Sequence, residues 1–140
     1  ITLGRGYNYA TCFEIALKLK ELSYVVAEPY STADFQHGPI AVVGEHFPVL
    51  AVASEGAASS DMLSLLAKLK ERNAELIVIA DQDEALAYAR TPFRLPAGVP
   101  EWLSPVVSVL PGQLFAMGLA LAKGHDLDSP RGLSKITITY

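Results

Sequence analysis

The sequence predicts an α/β fold, a three-layer sandwich in which a mainly parallel sheet is flanked on both faces by helices. Three observations lead there. Short apolar runs of strand length alternate with segments whose apolar residues recur every three or four positions. The segments between strand candidates are long enough to be crossover helices, which parallel neighbours need and antiparallel ones do not. At 140 residues and 51% hydrophobic, the chain has enough material for one compact domain with a real core.

The opening ITLGRG reads as a short strand running into a glycine-rich turn. From Asn8 to about Tyr24 the period is helical, and Cys12, Ile15, Ala16, Leu19 and Leu22 form one apolar stripe. The residues through Glu28 and Pro29 read as a connection. In STADFQHGPI a short helix starts at Ser31 and stops after His37, where Gly38-Pro39 breaks it. FPVLAVAS is a bounded apolar run of the buried-strand type. SSDMLSLLAKLKERN follows, with Ser59 or Ser60 as N-cap and Met62, Leu65, Leu66 and Leu69 on one face.

AELIVIAD is the strongest strand candidate, β-branched and closed by Asp81. TPFRLPA reads as a further short strand and LSPVVSVLPGQLFAMGLALAKG as a long apolar helix. Pro105 suits that helix's first turn, whereas Pro111 is expected to kink it or mark a joint. The tail, residues 126–140, is irregular and then alternates in β fashion. In such sheets ligands gather at the carboxyl ends of the strands, near the switch in strand order. The turns after Gly4-Arg5-Gly6, after Ala53-Ser54 and after Asp81 are therefore the ligand-facing candidates.

Composition excludes several classes of partner. The net charge is −4, the pI is near 5.3 and no basic run occurs, which argues against nucleic acid and anionic membrane. No apolar run is expected to reach the roughly 18–20 residues that span a bilayer, and no signal peptide is recognised. The single cysteine, Cys12, excludes an internal disulfide and a cysteine-based zinc cluster, which fits a reducing, cytoplasmic setting. ITLGRG opens as if already inside a strand, so a longer polypeptide is expected.

Glu14, Lys18 and Glu21 stand at i, i+4 and i+7, within a strip roughly 60° wide on a helix. Either they form an exposed ladder, or they form a partly buried cluster in which Lys18 tunes a carboxylate as a base. His37 either caps a helix C-terminus or carries chemistry. His46 and His125 sit in polar surroundings and read as surface residues. ASEGAASSD places Gly56 among Ser54, Ser59 and Ser60. That is either an anion cradle ahead of a helix, which Glu55 opposes, or a helix start with no ligand. Arg5, between two glycines, is not diagnostic by itself. The run from Asp126 to Arg131 suggests an ordered tail ahead of Lys135.

Taken together, GRGYNYATCFEIALKLKELSYVVAEPYSTADFQHGPI, ADQD and the closing DLDSPRGLSK resemble the second sugar isomerase (SIS) domain of glucosamine-6-phosphate synthases and of glutaminase-free tandem-SIS deaminases. The resemblance runs in order through essentially the whole chain. It implies a single SIS domain over residues 1–140, flavodoxin-like but without a nucleotide, and C-terminal in a two-SIS protein. It implies that Glu21 moves a proton between C1 and C2 of the sugar, with Lys18 beside it and Glu14 one turn earlier. His37 is implied in ring opening at a neighbouring subunit's site, and Lys135 in a Schiff base with the open-chain ketose.

The substrates implied are fructose-6-phosphate and glucosamine-6-phosphate, with Arg5, Ser54 and Ser59 as the substrate-binding candidates. The chemistry needs a proton shuttle near neutrality, an ammonium to stabilise developing charge and an amine to activate the carbonyl. No metal and no cofactor is called for. The partners implied are a first SIS domain, which normally supplies the phosphate loop, and a second copy in a homodimer with a shared site. The isolated domain is expected to be inactive or nearly so. The alternative is a non-catalytic sugar-phosphate-binding regulatory module.

Overall fold

The computed structural model describes residues 1–132, so Lys135 lies outside the described residues. Along the chain come β1 (Thr2–Gly4), α1 (Asn8–Ser23), β2 (Pro29–Ser31), α2 (Thr32–Gln36), β3 (Pro48–Ala53) and α3 (Ser59–Glu71). They are followed by β4 (Glu75–Ala80), α4 (Asp83–Leu86), β5 (Thr91–Arg94) and α5 (Ser104–Ala122). Short 3-10 turns occupy Pro39–Val42 and Glu101–Leu103. The strands form one sheet in the order β2-β1-β3-β4-β5, with every neighbouring pair parallel.

Alternate strand residues face opposite ways, and both faces are covered. Val49, Ala51 and Val78 pack with Phe35 of α2, Leu65 and Leu66 of α3 and Leu86 of α4. Leu50, Val52, Ile77 and Ile79 pack with Cys12, Ile15 and Leu19 of α1 and Ala116 of α5. This two-sided burial is why the central strands read as unbroken apolar runs. Ile15 is fully buried, and its truncation to alanine would cost about 2–5 kcal/mol.

Two elements escape the sequence reading. β2 is three half-buried residues long, starts on Pro29 and pairs only with β1, so no alternation could announce it. α4 is a single turn after Asp81, where the sequence suggested one strand running on to the next. The expected cap at Ser59 or Ser60 also differs. Ser59 is the first helical residue, Ala58 holds the N-cap position, and the Ser59 hydroxyl turns back to Gly56. Ser31 does cap α2, its Oγ accepting the Asp34 N–H at 3.2 Å.

Pro111 marks no joint, because one helix runs from Ser104 to Ala122 through it. Ser108, Gly112, Ala116 and Ala120 form a buried stripe of small residues on its inner side. The expectation that no apolar run reaches bilayer length also fails. Glu101–Ala122 has the length and a mean hydropathy of 1.6 that a span requires. In this fold the small stripe of that helix is buried and α5 packs against α1, while Val106, Leu110, Leu114 and Leu121 face outward.

Candidate functional site

The apolar stripe of α1 faces the sheet, which leaves Glu14, Lys18 and Glu21 on the flank of the helix. Lys18 Nζ lies 2.7 Å from Glu21 Oε2 and 3.8 Å from Glu14 Oε1. The three side chains are 31%, 28% and 34% exposed for Lys18, Glu21 and Glu14, which makes them a half-buried cluster and not an open ladder. From α5, Gln113 Nε2 donates to Glu14 Oε1 at 3.0 Å. The hydrogen bond to Glu21 raises the Lys18 pKa above its ordinary value. Burial opposes that shift, and the charges of Glu21 and Glu14 add to it. The arrangement therefore presents two carboxylates bridged by an ammonium at the edge of solvent.

A second group of candidates lies where the strand order switches, between β1 and β3. A small polar pocket there is lined by Arg5, Asn8, Ser54, Ala58 and Glu101. Asn8 fixes it, donating to Ser54 Oγ at 3.2 Å and to Ser104 Oγ at 2.7 Å. Arg5 pairs with Asp61 at 3.2 Å and reaches Thr32 Oγ1 at 3.5 Å.

The loop after β3 has three successive backbone donors, and each already has an internal acceptor. The Glu55 N–H donates to Asp81 Oδ1 at 2.8 Å, the Gly56 N–H to Ser59 Oγ at 3.0 Å and the Ala57 N–H to Glu101 Oε2 at 3.3 Å. A side chain at Gly56 would overlap the Glu101 carboxylate. Carboxylates thus sit where an anion cradle would hold its ligand.

His37 is the C-cap of α2 and is exposed. Because α2 packs in the layer with α3, His37 stands across the sheet from Glu14, Lys18 and Glu21 of α1. His46 is an open surface residue, 72% exposed. His125 is not one, because it is half-buried and stacks on Tyr24 at 4.7 Å.

Sequence reasoning missed Gln113, Glu101 and Tyr24. No local motif announces them, since their partners lie far away along the chain. Asp81, which the sequence marks as a strand end followed by a ligand-facing turn, uses its carboxylate to anchor the β3 loop.

The SIS domain family matches residues 1–123. The chain is 43% identical over 136 residues to glutamine–fructose-6-phosphate aminotransferase (isomerizing) of Gloeobacter violaceus, covering 96% of this chain and 22% of that protein. The chain therefore spans about a fifth of that relative's length. A solved structure, the C-terminal domain of glucosamine-fructose-6-phosphate aminotransferase from Francisella tularensis, aligns with a TM-score of 0.80 at 34% identity. That alignment covers 91% of this chain and 36% of the other. Tagatose-6-phosphate ketose/aldose isomerase from Escherichia coli aligns with a TM-score of 0.75 at 27% identity, over 88% of this chain and 35% of that one.

Proposed function

The chain belongs to the SIS domain family, and from that membership we propose that it is the C-terminal isomerase domain of an amino-sugar-phosphate aminotransferase, isomerase or deaminase. Its substrates are of the fructose-6-phosphate and glucosamine-6-phosphate type. The observation that carries this reading is the 2.7 Å contact of Lys18 with Glu21 in a half-buried strip that also holds Glu14.

The residues divide the chemistry as follows. His37 moves a proton between the anomeric hydroxyl and the ring oxygen, so that the cyclic sugar opens. The Lys135 amine adds to the C2 carbonyl of the ketose and water leaves; ammonia then adds to C2 and the lysine amine departs, which leaves a free imine whose neighbouring C–H is more acidic. Glu21 takes the proton from C1 and returns it to C2, which moves the carbonyl to C1. Lys18 stabilises the negative charge that develops on the way. Gln113 holds Glu14 in place beside Lys18.

Three observations support the partners. The donors of the β3 loop are taken internally, so the sugar's phosphate is held by another unit, namely a first SIS domain. The outward face of α5 (Val106, Leu110, Leu114) and Phe13 and Leu17 of α1 offer that domain an apolar surface. The position of His37 across the sheet from Glu21 supports a homodimer in which each site takes its histidine from the other copy. An unpaired, buried Cys12 is in keeping with a cytoplasmic protein.

The test is Glu21→Gln in the two-SIS protein, assayed for interconversion of fructose-6-phosphate and glucosamine-6-phosphate. A loss of about 10²–10⁴-fold in turnover is expected for removal of a general base. Wild-type turnover would sink the assignment.

A further inference from the structure

The segment that carries His37 leaves the core and returns to it within a few residues. Phe35 and Val43 are both buried, and both pack in the layer that holds α3. Between them His37 and Gly38 are exposed, Ile40 is half-buried, and Ala41 and Val42 are exposed. Two local hydrogen bonds turn the chain there. The Ala41 N–H donates to the Gly38 carbonyl at 3.0 Å and the Val43 N–H to the Ile40 carbonyl at 3.2 Å. Apolar burial therefore holds the ends of this arch more firmly than its middle.

Two cations of α3 tie the arch on either side of His37. Lys68 and Arg72, the C-cap, stand one turn apart on the same side of the helix. Lys68 Nζ donates to Gln36 Oε1 at 2.7 Å, and Gln36 Nε2 donates in turn to the Thr32 carbonyl at 3.3 Å. The Arg72 guanidinium donates to the Ile40 carbonyl at 2.9 Å and to the Val43 carbonyl at 3.5 Å. One tie thus falls on the residue before His37 and the other begins three residues after it. Both donors are ionised, which makes such hydrogen bonds roughly twice as strong as neutral ones. Lys70 of the same helix turns elsewhere, to the Tyr88 carbonyl at 3.4 Å.

We propose that Lys68 and Arg72 are a positioning pair for His37. By holding the chain on both sides of it, they set the place from which its imidazole is presented to the sugar. This rests on the role given above to His37 in ring opening. A proton shuttle has to come within about 2.6–3.2 Å of the atoms it serves. A catalytic group misplaced by about 1 Å can lose on the order of 10²-fold in rate. The two cations meet that demand from outside the site, without touching substrate.

The test combines Lys68→Met with Arg72→Met in the two-SIS protein, with Lys70→Met as the control. The double variant should speed amide hydrogen exchange across residues 37–43 several-fold, while the amides of β3 and β4 stay as they were. Lys70→Met should leave residues 37–43 unchanged. Unchanged exchange across 37–43 in the double variant would overturn the ties.

The double variant should also lower kcat by about tenfold, short of the roughly 10²–10⁴-fold of losing the shuttle altogether. KM for the sugar phosphate should be unchanged. On a His37→Ala background the double variant should have no further effect, whereas a general loss of stability would lower both backgrounds alike. A wild-type kcat in the double variant beside an inactive His37→Ala would overturn the positioning role, and so would an equal loss on the two backgrounds. A fully active His37→Ala would instead remove the role given to His37, whatever the exchange across 37–43 shows.

Discussion

Ile15 packs directly onto Gly112, so closely that a methyl group added to the glycine would overlap the isoleucine side chain. One residue further along α5 and one residue back along α1, Gln113 meets Glu14 at 3.0 Å. The close approach of the two helices therefore also sets the amide that holds the outer carboxylate of the Glu14–Lys18–Glu21 cluster.

Gly112→Ala should destabilise the domain by about 1–3 kcal/mol through overpacking, although alanine is the better helix former by roughly 1 kcal/mol. Gly118→Ala is the control. It lies in the same helix with open space where its Cβ would go, and should stabilise by up to about 1 kcal/mol. Urea denaturation of the two variants checks both signs.

The Ile15–Gly112 contact shows which parts of the molecule are legible in the sequence. The stripe from Cys12 to Leu19 and the runs that became β3 and β4 announce themselves, because local periodicity and burial coincide there. Glu14, Lys18 and Glu21 are legible as a strip for the same reason. Their degree of burial is not, since it depends on α5, whose Gln113 is 99 residues from Glu14. Glu101 is 44 residues from Ala57, and Tyr24 is 107 residues from Arg131. β2 is hidden for the opposite reason, being too short to show any pattern.

Lys18→Met should reveal a pH dependence with a definite sign. Lys18 has a folded-state pKa above the ordinary 10.5, chiefly through its hydrogen bond to Glu21. Its contribution is fully present below pH 10.5 and is lost as pH rises through the higher folded value. For a pair about a third exposed this amounts to about 0.2–1 kcal/mol, less in high salt. The stability gap between wild type and Lys18→Met should hold across neutral and mildly alkaline pH and close only above the ordinary lysine range. A gap that closes near neutrality would contradict the pairing.

Inorganic phosphate should leave the amide resonances of Glu55, Gly56 and Ala57 unmoved at millimolar concentration. Each of these donors already has an acceptor in Asp81, Ser59 or Glu101, and a phosphate would have to displace a carboxylate that repels it. Saturable shifts at these three amides would show instead that the loop opens to anions.

The separation of His37 from Glu21 by the sheet predicts how defective subunits behave together. His37→Ala and Glu21→Gln homodimers should each be nearly inactive. Mixed dimers should recover activity, because one of the two composite sites keeps both residues. A mixed population no more active than its parents, with subunit exchange verified, would place both residues in a single subunit's site.

The most direct measurement is incorporation of deuterium from solvent into the sugar product by Glu21→Gln and wild type, in the two-SIS protein. Glu21 as the base predicts that proton transfer between C1 and C2, and any solvent exchange that accompanies it, falls with turnover by about 10²–10⁴-fold. Binding of the sugar phosphate should be retained. Exchange and turnover at the wild-type rate in Glu21→Gln would contradict the account at its centre.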